Sequence, residues 1–264
     1  MTSGPPRAVL RRLGRIALGA TLLVAVAGAL ALLAVRVNRG SYEAPAEVAP
    51  GIFAVRSAGG VWLYAARAGA SVLLFDAGAD PEARPVDALL RAMGARRAQV
   101  TDVFLTHAHG DHVAAVGALA GARVHAGAAD VEYIEGRRAA GPLSWLTSIV
   151  LSTPAAPVSD PITEECDVEV PGGEPVHAIP LPGHTPGSCA FVFHGVVFAG
   201  DILAWKGSRL GTGPAFFDHS PSANEGSARS LVALAGSGPG FLVCTGHTGC
   251  TPAAAASGRP AAAP

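Results

Sequence analysis

With 264 residues, 19 basic against 20 acidic side chains and a net charge of −1, the chain has room for one folded domain plus an appendage, not two full domains. That charge balance leaves no electrostatic footprint for nucleic acid; Lys206 is the only lysine, and the arginines beyond the N-terminal region are scattered. No nucleic-acid partner is therefore expected.

The appendage comes first in the chain. A basic segment, residues 1–15, carries Arg7, Arg11, Arg12 and Arg15 and precedes twenty uncharged residues, Ile16 to Val35, made mostly of Ala, Leu, Val and Gly. A helix of that length spans about 30 Å, the hydrocarbon thickness of a bilayer. The expectation is an N-terminal transmembrane helix over 16–35. The arginines are denser before the run than after it, which places the N-terminus inside and the enzyme outside the cytoplasm, on a bacterial inner membrane. A cleaved secretory signal is the rival, since Ala29-Leu30-Ala31 has the small-x-small form, but the apolar run continues past it. Residues 36–50 read as a polar, proline-bearing linker. The Ala/Pro-rich tail, residues 252–264, has no core to bury and reads as disordered. Heavy use of Ala, Gly, Pro and Arg suggests a GC-rich bacterial genome.

Strand patterns near Ile52-Arg56, Val61-Ala66 and Ser71-Phe75 open the domain assigned to 51–251 and lead into Leu74-Phe75-Asp76-Ala77-Gly78. The strand-like run Val103-Phe104-Leu105 then enters Thr106-His107-Ala108-His109-Gly110-Asp111-His112, after which Val113, Val116 and Leu119 have helical spacing. A tight turn between strand and helix would project three imidazoles and a carboxylate into one small volume. These are the usual ligand types for Zn²⁺ and also serve Fe and Mn. His184 lies on a glycine-flanked turn after Ala178-Leu181, Asp201 ends the strand pattern Val197-Gly200, and His247 ends the run Phe241-Gly246. Each stands beside glycine, where backbone turns sharply. Five histidines and two carboxylates exceed the three or four ligands of one tetrahedral zinc, so two metals are expected. Such a pair can share a hydroxide of depressed pKa and polarise a carbonyl or phosphoryl oxygen.

Motif, order and spacing resemble the metallo-β-lactamase superfamily over roughly residues 49–251. The resemblance implies an α/β fold, a four-layer αββα sandwich with the metals at one edge of the two facing sheets. It implies that His107, His109 and His184 hold one metal, that Asp111, His112 and His247 hold the other, and that Asp201 bridges them. It gives Asp111 a further part in orienting the nucleophile or passing a proton to the leaving group. The reaction it implies is metal-dependent cleavage of an ester, thioester, lactone or related bond in a small-molecule substrate by a metal-bridging hydroxide, with a true β-lactamase as one alternative. Two divalent ions, Zn²⁺ first and Fe or Mn as alternatives, would be the cofactors.

Within that family the residues sort the activities. True β-lactamases usually have cysteine or serine where Asp201 stands. Glyoxalase II-like thioesterases share the complete ligand set, and the glutathione-binding basic loop that follows it there is faintly echoed by Lys206-Gly207-Ser208-Arg209. Lactonases expect a tyrosine where Ala204-Trp205 stands. Flavodiiron proteins usually have glutamate at the position of His109. The oxidoreductase alternative is a persulfide dioxygenase-like enzyme using the first histidine trio for one iron.

Four cysteines, Cys166, Cys189, Cys244 and Cys250, would face an oxidising compartment under the expected topology. Cys244 and Cys250 flank His247 and could form a short disulfide, though connectivity is open; Cys189 reads as a small buried strand residue. His125, His177 and His194 read as structural, and His219, after Phe216-Phe217-Asp218, as a residue that could line the substrate mouth. The stretch from Arg137 to Cys166 is read equally as an overhang of the metal site or as a helix packed on the core.

Overall fold

The computed structural model describes residues 19, 21–30, 33–34, 37–138, 156–207, 209–237 and 240–253. The chain divides into two units, residues 1–38 and 39–264. In the first, residues 21–30 are helical and exposed. No helix among the described residues is long and apolar enough to cross a membrane. The basic segment 1–15 and parts of the 16–35 run lie outside the described residues, as do 139–155 of the expected overhang and the tail from 254.

The second unit carries two main sheets. One has strands β1 (Ala46–Ala49), β2 (Ile52–Arg56), β3 (Trp62–Ala68), β4 (Ser71–Phe75), β5 (Val100–Leu105), β6 (Arg123–Gly127) and β7 (Asp160–Ile162), in that order. The first four are antiparallel neighbours, and β4 to β7 run parallel. The other sheet is built from β8 (Cys166–Val168), β9 (Val176–Pro180), β10 (Cys189–Phe193), β11 (Val196–Gly200), β14 (Leu242–Thr245) and β15 (Gly249–Pro252), ordered β15-β14-β11-β10-β9-β8. A separate ribbon pairs β12 (Ala204–Lys206) with β13 (Arg209–Gly211). Four α-helices are described: α1 (Arg84–Ala92), α2 (Gly110–Val113), α3 (Val131–Ile134) and α4 (Pro221–Ser237).

The layers follow from period-two alternation, which sends successive side chains to opposite faces of a strand. In β4, Val72 and Leu74 join α1 residues Val86, Leu89 and Leu90 in one core, while Leu73 and Phe75 turn to the other sheet. In β11, Val196 and Phe198 face inward, while Val197 and Ala199 meet Ala228, Leu231 and Ala235 of α4. The result is helix, sheet, sheet, helix: the expected αββα sandwich. Phe75 stacks on Phe198 across the sheets with ring centroids 3.7 Å apart. Each such buried aromatic contributes on the order of 1.5–3 kcal/mol of transfer free energy.

Three expectations need correction. The 36–50 linker is not all tether, because Ala46–Ala49 pairs with β2 as an edge strand. The tail assigned to 252–264 begins inside the fold, since Pro252 pairs with Leu242 and Ala253 is buried. The helix after His112 is a single turn followed by a 3₁₀ turn, Val116–Ala118. There the Ala114 N–H bonds to the Gly78 carbonyl instead of continuing the helical ladder; Val113, Val116 and Leu119 are nonetheless buried together. At His194-Gly195 both residues have positive φ, 46° and 75°, which places a tight hairpin turn between β10 and β11.

Candidate metal centre

Four chain segments meet where strands of both sheets end. The first is the turn from β5 into α2, with His109 immediately before the helix. It is pinned by the Ala77 N–H, which donates to the His112 carbonyl at 2.6 Å. His184 sits in the β9–β10 loop, closed by the Leu181 N–H on the Ser188 carbonyl at 2.8 Å. Asp201 follows Gly200, which has a φ of 51° and packs against Thr106 so closely that a Cβ there would collide with its hydroxyl. His247 lies in the β14–β15 turn. A disulfide between the paired residues Cys244 and Cys250, with Cα atoms 4.0 Å apart, closes that turn. Gly246 leaves the necessary space, since a Cβ at that position would strike Asp201 and lie 2.8 Å from His112 Cε1.

All seven expected ligands come together. His107, His109, His184 and Asp201 form one group and Asp111, His112 and His247 another; within each, the candidate ligand atoms lie within 4.8 Å of one another. In the first group His109 Nδ1 faces His184 Nε2 at 3.0 Å. Asp201 stands between the groups: Oδ2 is 3.6 Å from His184 Nε2 and 3.3 Å from His247 Nε2, and Oδ1 is 3.7 Å from His112 Nε2. Asp111 Oδ2 is 3.6 Å from His247 Nε2.

Behind the ligands stands a set of carboxylates to which the sequence reading assigned no role. Asp76 accepts the His112 Nδ1 proton at 2.7 Å and the Thr106 backbone N–H at 2.8 Å. The Thr106 hydroxyl donates to the same carboxylate and, as an acceptor, takes a proton from His107 Nδ1 at 3.0 Å. Asp218 accepts from His184 Nδ1 at 2.8 Å and from Asn224 Nδ2 at 3.1 Å. Asp130 accepts from the Ala108 N–H, the Gly187 N–H and the Thr185 hydroxyl, so one buried side chain ties the His107 loop to the His184 loop. With Nδ1 engaged, His107, His112 and His184 each leave Nε2 for the centre, the arrangement that fixes tautomer and ring direction in metal sites.

The fit to a cation is visible in what these groups lack. His107 Nε2, His112 Nε2 and Asp201 Oδ1 are buried and have no hydrogen-bond partner. Buried polar atoms are ordinarily paired, because an unpaired one costs about 1–3 kcal/mol. Three such atoms turned toward a common point, in an imidazole and carboxylate donor set, fit divalent metal.

The electrostatics of the two groups differ. Burial and the neighbouring imidazoles hold His107 well below the ordinary histidine pKa, and burial with His184 takes His109 down to about 4. Burial opposes the charged form of His112 as well, but Asp76, Asp201 and Asp111 outweigh it and raise its pKa to about 10. His247 is raised by its hydrogen bond to Asp201. Burial pushes Asp201 up, and His112, His247 and His184 more than reverse that, leaving it below the usual carboxylate range. Asp130 is raised by burial, only partly offset by its three donors.

The other histidines lie elsewhere. His125 is buried and bonded to Asp102 at 2.9 Å, His177 bridges Asp167 and Glu165, and His194 occupies the hairpin turn. His219 lines a groove near the centre, and its backbone N–H donates to the His184 carbonyl at 2.9 Å. Trp205 packs into the core beneath α4, and Cys189 is a fully buried core residue.

The family profile of the metallo-beta-lactamase superfamily matches residues 56–247. A hydroxyacylglutathione hydrolase of Fuscovulum blasticum is 36% identical over 173 residues, covering 63% of this chain and 54% of that protein. The corresponding protein of Rhodobacter capsulatus is 32% identical over 194 residues, covering 70% and 60%. The chain thus spans little more than half the length of the curated relatives it matches. Among solved structures, TTHA1623 in a di-iron-bound form superposes with a TM-score of 0.58 at 27% identity, over 81% of this chain and 96% of that one. A subclass B3 metallo-beta-lactamase of Bradyrhizobium japonicum gives 0.61 at 20% identity over 80% of each chain, a likeness of fold alone.

Proposed function

The chain belongs to the metallo-beta-lactamase superfamily, and on that premise we propose that it is a dinuclear metal-dependent hydrolase acting on a small-molecule thioester. The observation that carries this reading is the meeting of two ligand groups at Asp201, with unpartnered buried ring nitrogens and a carboxylate oxygen turned inward. The choice of thioester rests on the hydroxyacylglutathione hydrolases among the relatives and on an aspartate at position 201.

Two divalent ions held by these residues would act as Lewis acids and supply a nucleophile at neutral pH. His107, His109 and His184 would hold one, Asp111, His112 and His247 the other, and Asp201 would bridge them. Zinc suits the donor set; the di-iron form of TTHA1623 keeps iron as the other candidate. Asp76, Thr106 and Asp218 orient the imidazoles so that no ring need turn during turnover. Asp111 is partly exposed at 28% and lies beside His247 on the open side. Its carboxylate would orient the attacking water or pass a proton to the leaving group.

We further propose that residues 16–35 anchor the enzyme to a bacterial membrane with the centre outside the cytoplasm. The support is the twenty-residue uncharged run, the arginines before it and the Cys244–Cys250 disulfide, a bond that persists in oxidising compartments.

The test is expression of the full chain, metal analysis and assay of thiol release from a hydroxyacylglutathione thioester. About two metal ions per chain and chelator-sensitive turnover are expected. Folded protein that takes up no divalent metal would sink the reading.

A further inference from the structure

Beside the metal centre runs a groove of about 620 Å³, whose lining includes Tyr133, Arg137, Arg138, Pro186 and His219. That volume is ordinary for a small-molecule site. Two of its walls are continuous with the centre: Pro186 lies two residues beyond His184, and His219 follows Asp218, which holds the His184 ring. The basic residues that follow Asp201 in the chain, Lys206 and Arg209, belong to the β12–β13 ribbon and do not line it.

The two arginines of the groove are not equivalent. Arg137 is engaged by Glu135, with Nε 2.8 Å from its carboxylate, and by Glu132 at 3.5 Å, so the groove's own acidic residue is committed to it. Arg138 enters no ion pair among the described residues. Its guanidinium lies over the Tyr133 ring, 5.1 Å from the centroid, and the side chain is exposed. An aromatic face steadies a guanidinium without neutralising it, and none of the described residues occupies the planar fork of donors at its edge. That fork matches the two oxygens of a carboxylate.

We propose that this groove is a subsite for a carboxylate-bearing arm of the substrate, gripped by Arg138 on its Tyr133 platform while the reacting carbonyl lies toward His184. The inference rests on the hydrolase reading for its place in turnover, and on the groove alone for binding. It makes Arg138 a determinant of specificity for the charge of the thiol or acyl part.

The experiment uses the full-length, metal-loaded protein and two matched pairs of compounds. One is S-butyl mercaptopropionate against its carboxamide, which are thioethers and cannot be hydrolysed; the other is the corresponding pair of S-acetyl thioesters. Calorimetry should show the carboxylate thioether binding about tenfold more tightly than the amide, as a charge-assisted hydrogen bond allows. The preference should shrink as salt is raised. Arg138→Ala should bring the ratio close to one, and Arg138→Lys should restore only part of it, because an ammonium lacks the fork. With the thioesters the same loss should appear in KM. Equal affinity of the wild type for both thioethers, or an Arg138→Ala protein that keeps the preference, would overturn the proposal. Failure to cleave either thioester would count against the hydrolase reading, with the thioether ratio still deciding the groove.

Discussion

The two halves of the metal centre share Asp201 but are held in different ways. His107, His109 and His184 are largely buried, and burial and mutual repulsion hold His107 and His109 neutral. His112 is equally buried yet surrounded by Asp76, Asp111 and Asp201, and His247 is 39% exposed on a disulfide-closed turn. Near neutral pH His107 and His109 therefore offer free lone pairs, whereas His112 must give up a proton before it can bind. Two sites of similar ligand chemistry should thus differ in affinity for a reason that lies outside the ligands.

The harshest way to break the comparison is to remove what the halves share. Asp201→Asn keeps the volume but deletes the charge between two cations. Metal loading should fall at both positions and hydrolysis by orders of magnitude, with circular dichroism unchanged. Wild-type turnover in a fully loaded variant would show that the carboxylate does not bridge.

Single-half substitutions should come next. His184→Ala is expected to deplete the first position, whereas His247→Ala should leave about one ion per chain by elemental analysis. A His247→Ala protein that loses both ions, or a His184→Ala protein that keeps both, would erase the distinction between the halves.

Acidification sharpens the comparison without mutation. With the pKa of His112 raised to about 10, protons compete for the second position throughout the neutral range, while His109 begins to compete only near its pKa of about 4. Competitive metal titrations between about pH 8 and pH 6 should show second-site affinity falling as pH falls, and falling more steeply than first-site affinity. Parallel curves would count against this account.

Smaller effects should come from the supports. Cys244→Ser with Cys250→Ser opens the turn carrying His247, and loss of a short-loop disulfide costs about 2 kcal/mol. Thermal unfolding should report that loss, and the second position should weaken more than the first. Least of all is Asp102, a buried residue of strand β5. Burial alone would raise its pKa, but His125 and Arg123 outweigh burial and lower it. A carboxylate depressed on folding contributes stability above its unfolded value near 3.9. That contribution is lost as pH falls through the folded value. Asp102→Asn should flatten the acid limb of stability below about pH 5 and leave metal content unchanged.

The uneven legibility of this site has a physical cause. The ligands were readable because His107, His109, Asp111 and His112 stand within six residues, and because His184, Asp201 and His247 end apolar runs beside glycine. Asp76, Asp130 and Asp218 were not. Their partners lie 30, 22 and 34 positions away, at Thr106, Ala108 and His184, and a lone aspartate in sequence shows neither its burial nor whom it holds. Strands such as Ser71-Phe75 were legible as short apolar runs, whereas the four-layer sandwich was implied by the resemblance that the ligand motif and its spacing carry. The edge strand Ala46–Ala49 was not, because Glu47 and the flanking prolines read as a tether while its pairing is supplied by β2.

One feature of the layout bears on how the molecule assembles. His107, His109, Asp111 and His112 leave the end of the sheet that holds β5, whereas His184, Asp201 and His247 leave the ends of strands in the other. Neither sheet alone can make a complete ligand set, so the centre comes into being only when the two faces dock. Ions bound there would act as rivets across the seam, adding their binding free energy to the docked state alone. Metal loading should therefore raise the midpoint of thermal unfolding above what the apolar seam of Phe75, Phe104, Phe191 and Phe198 supports alone.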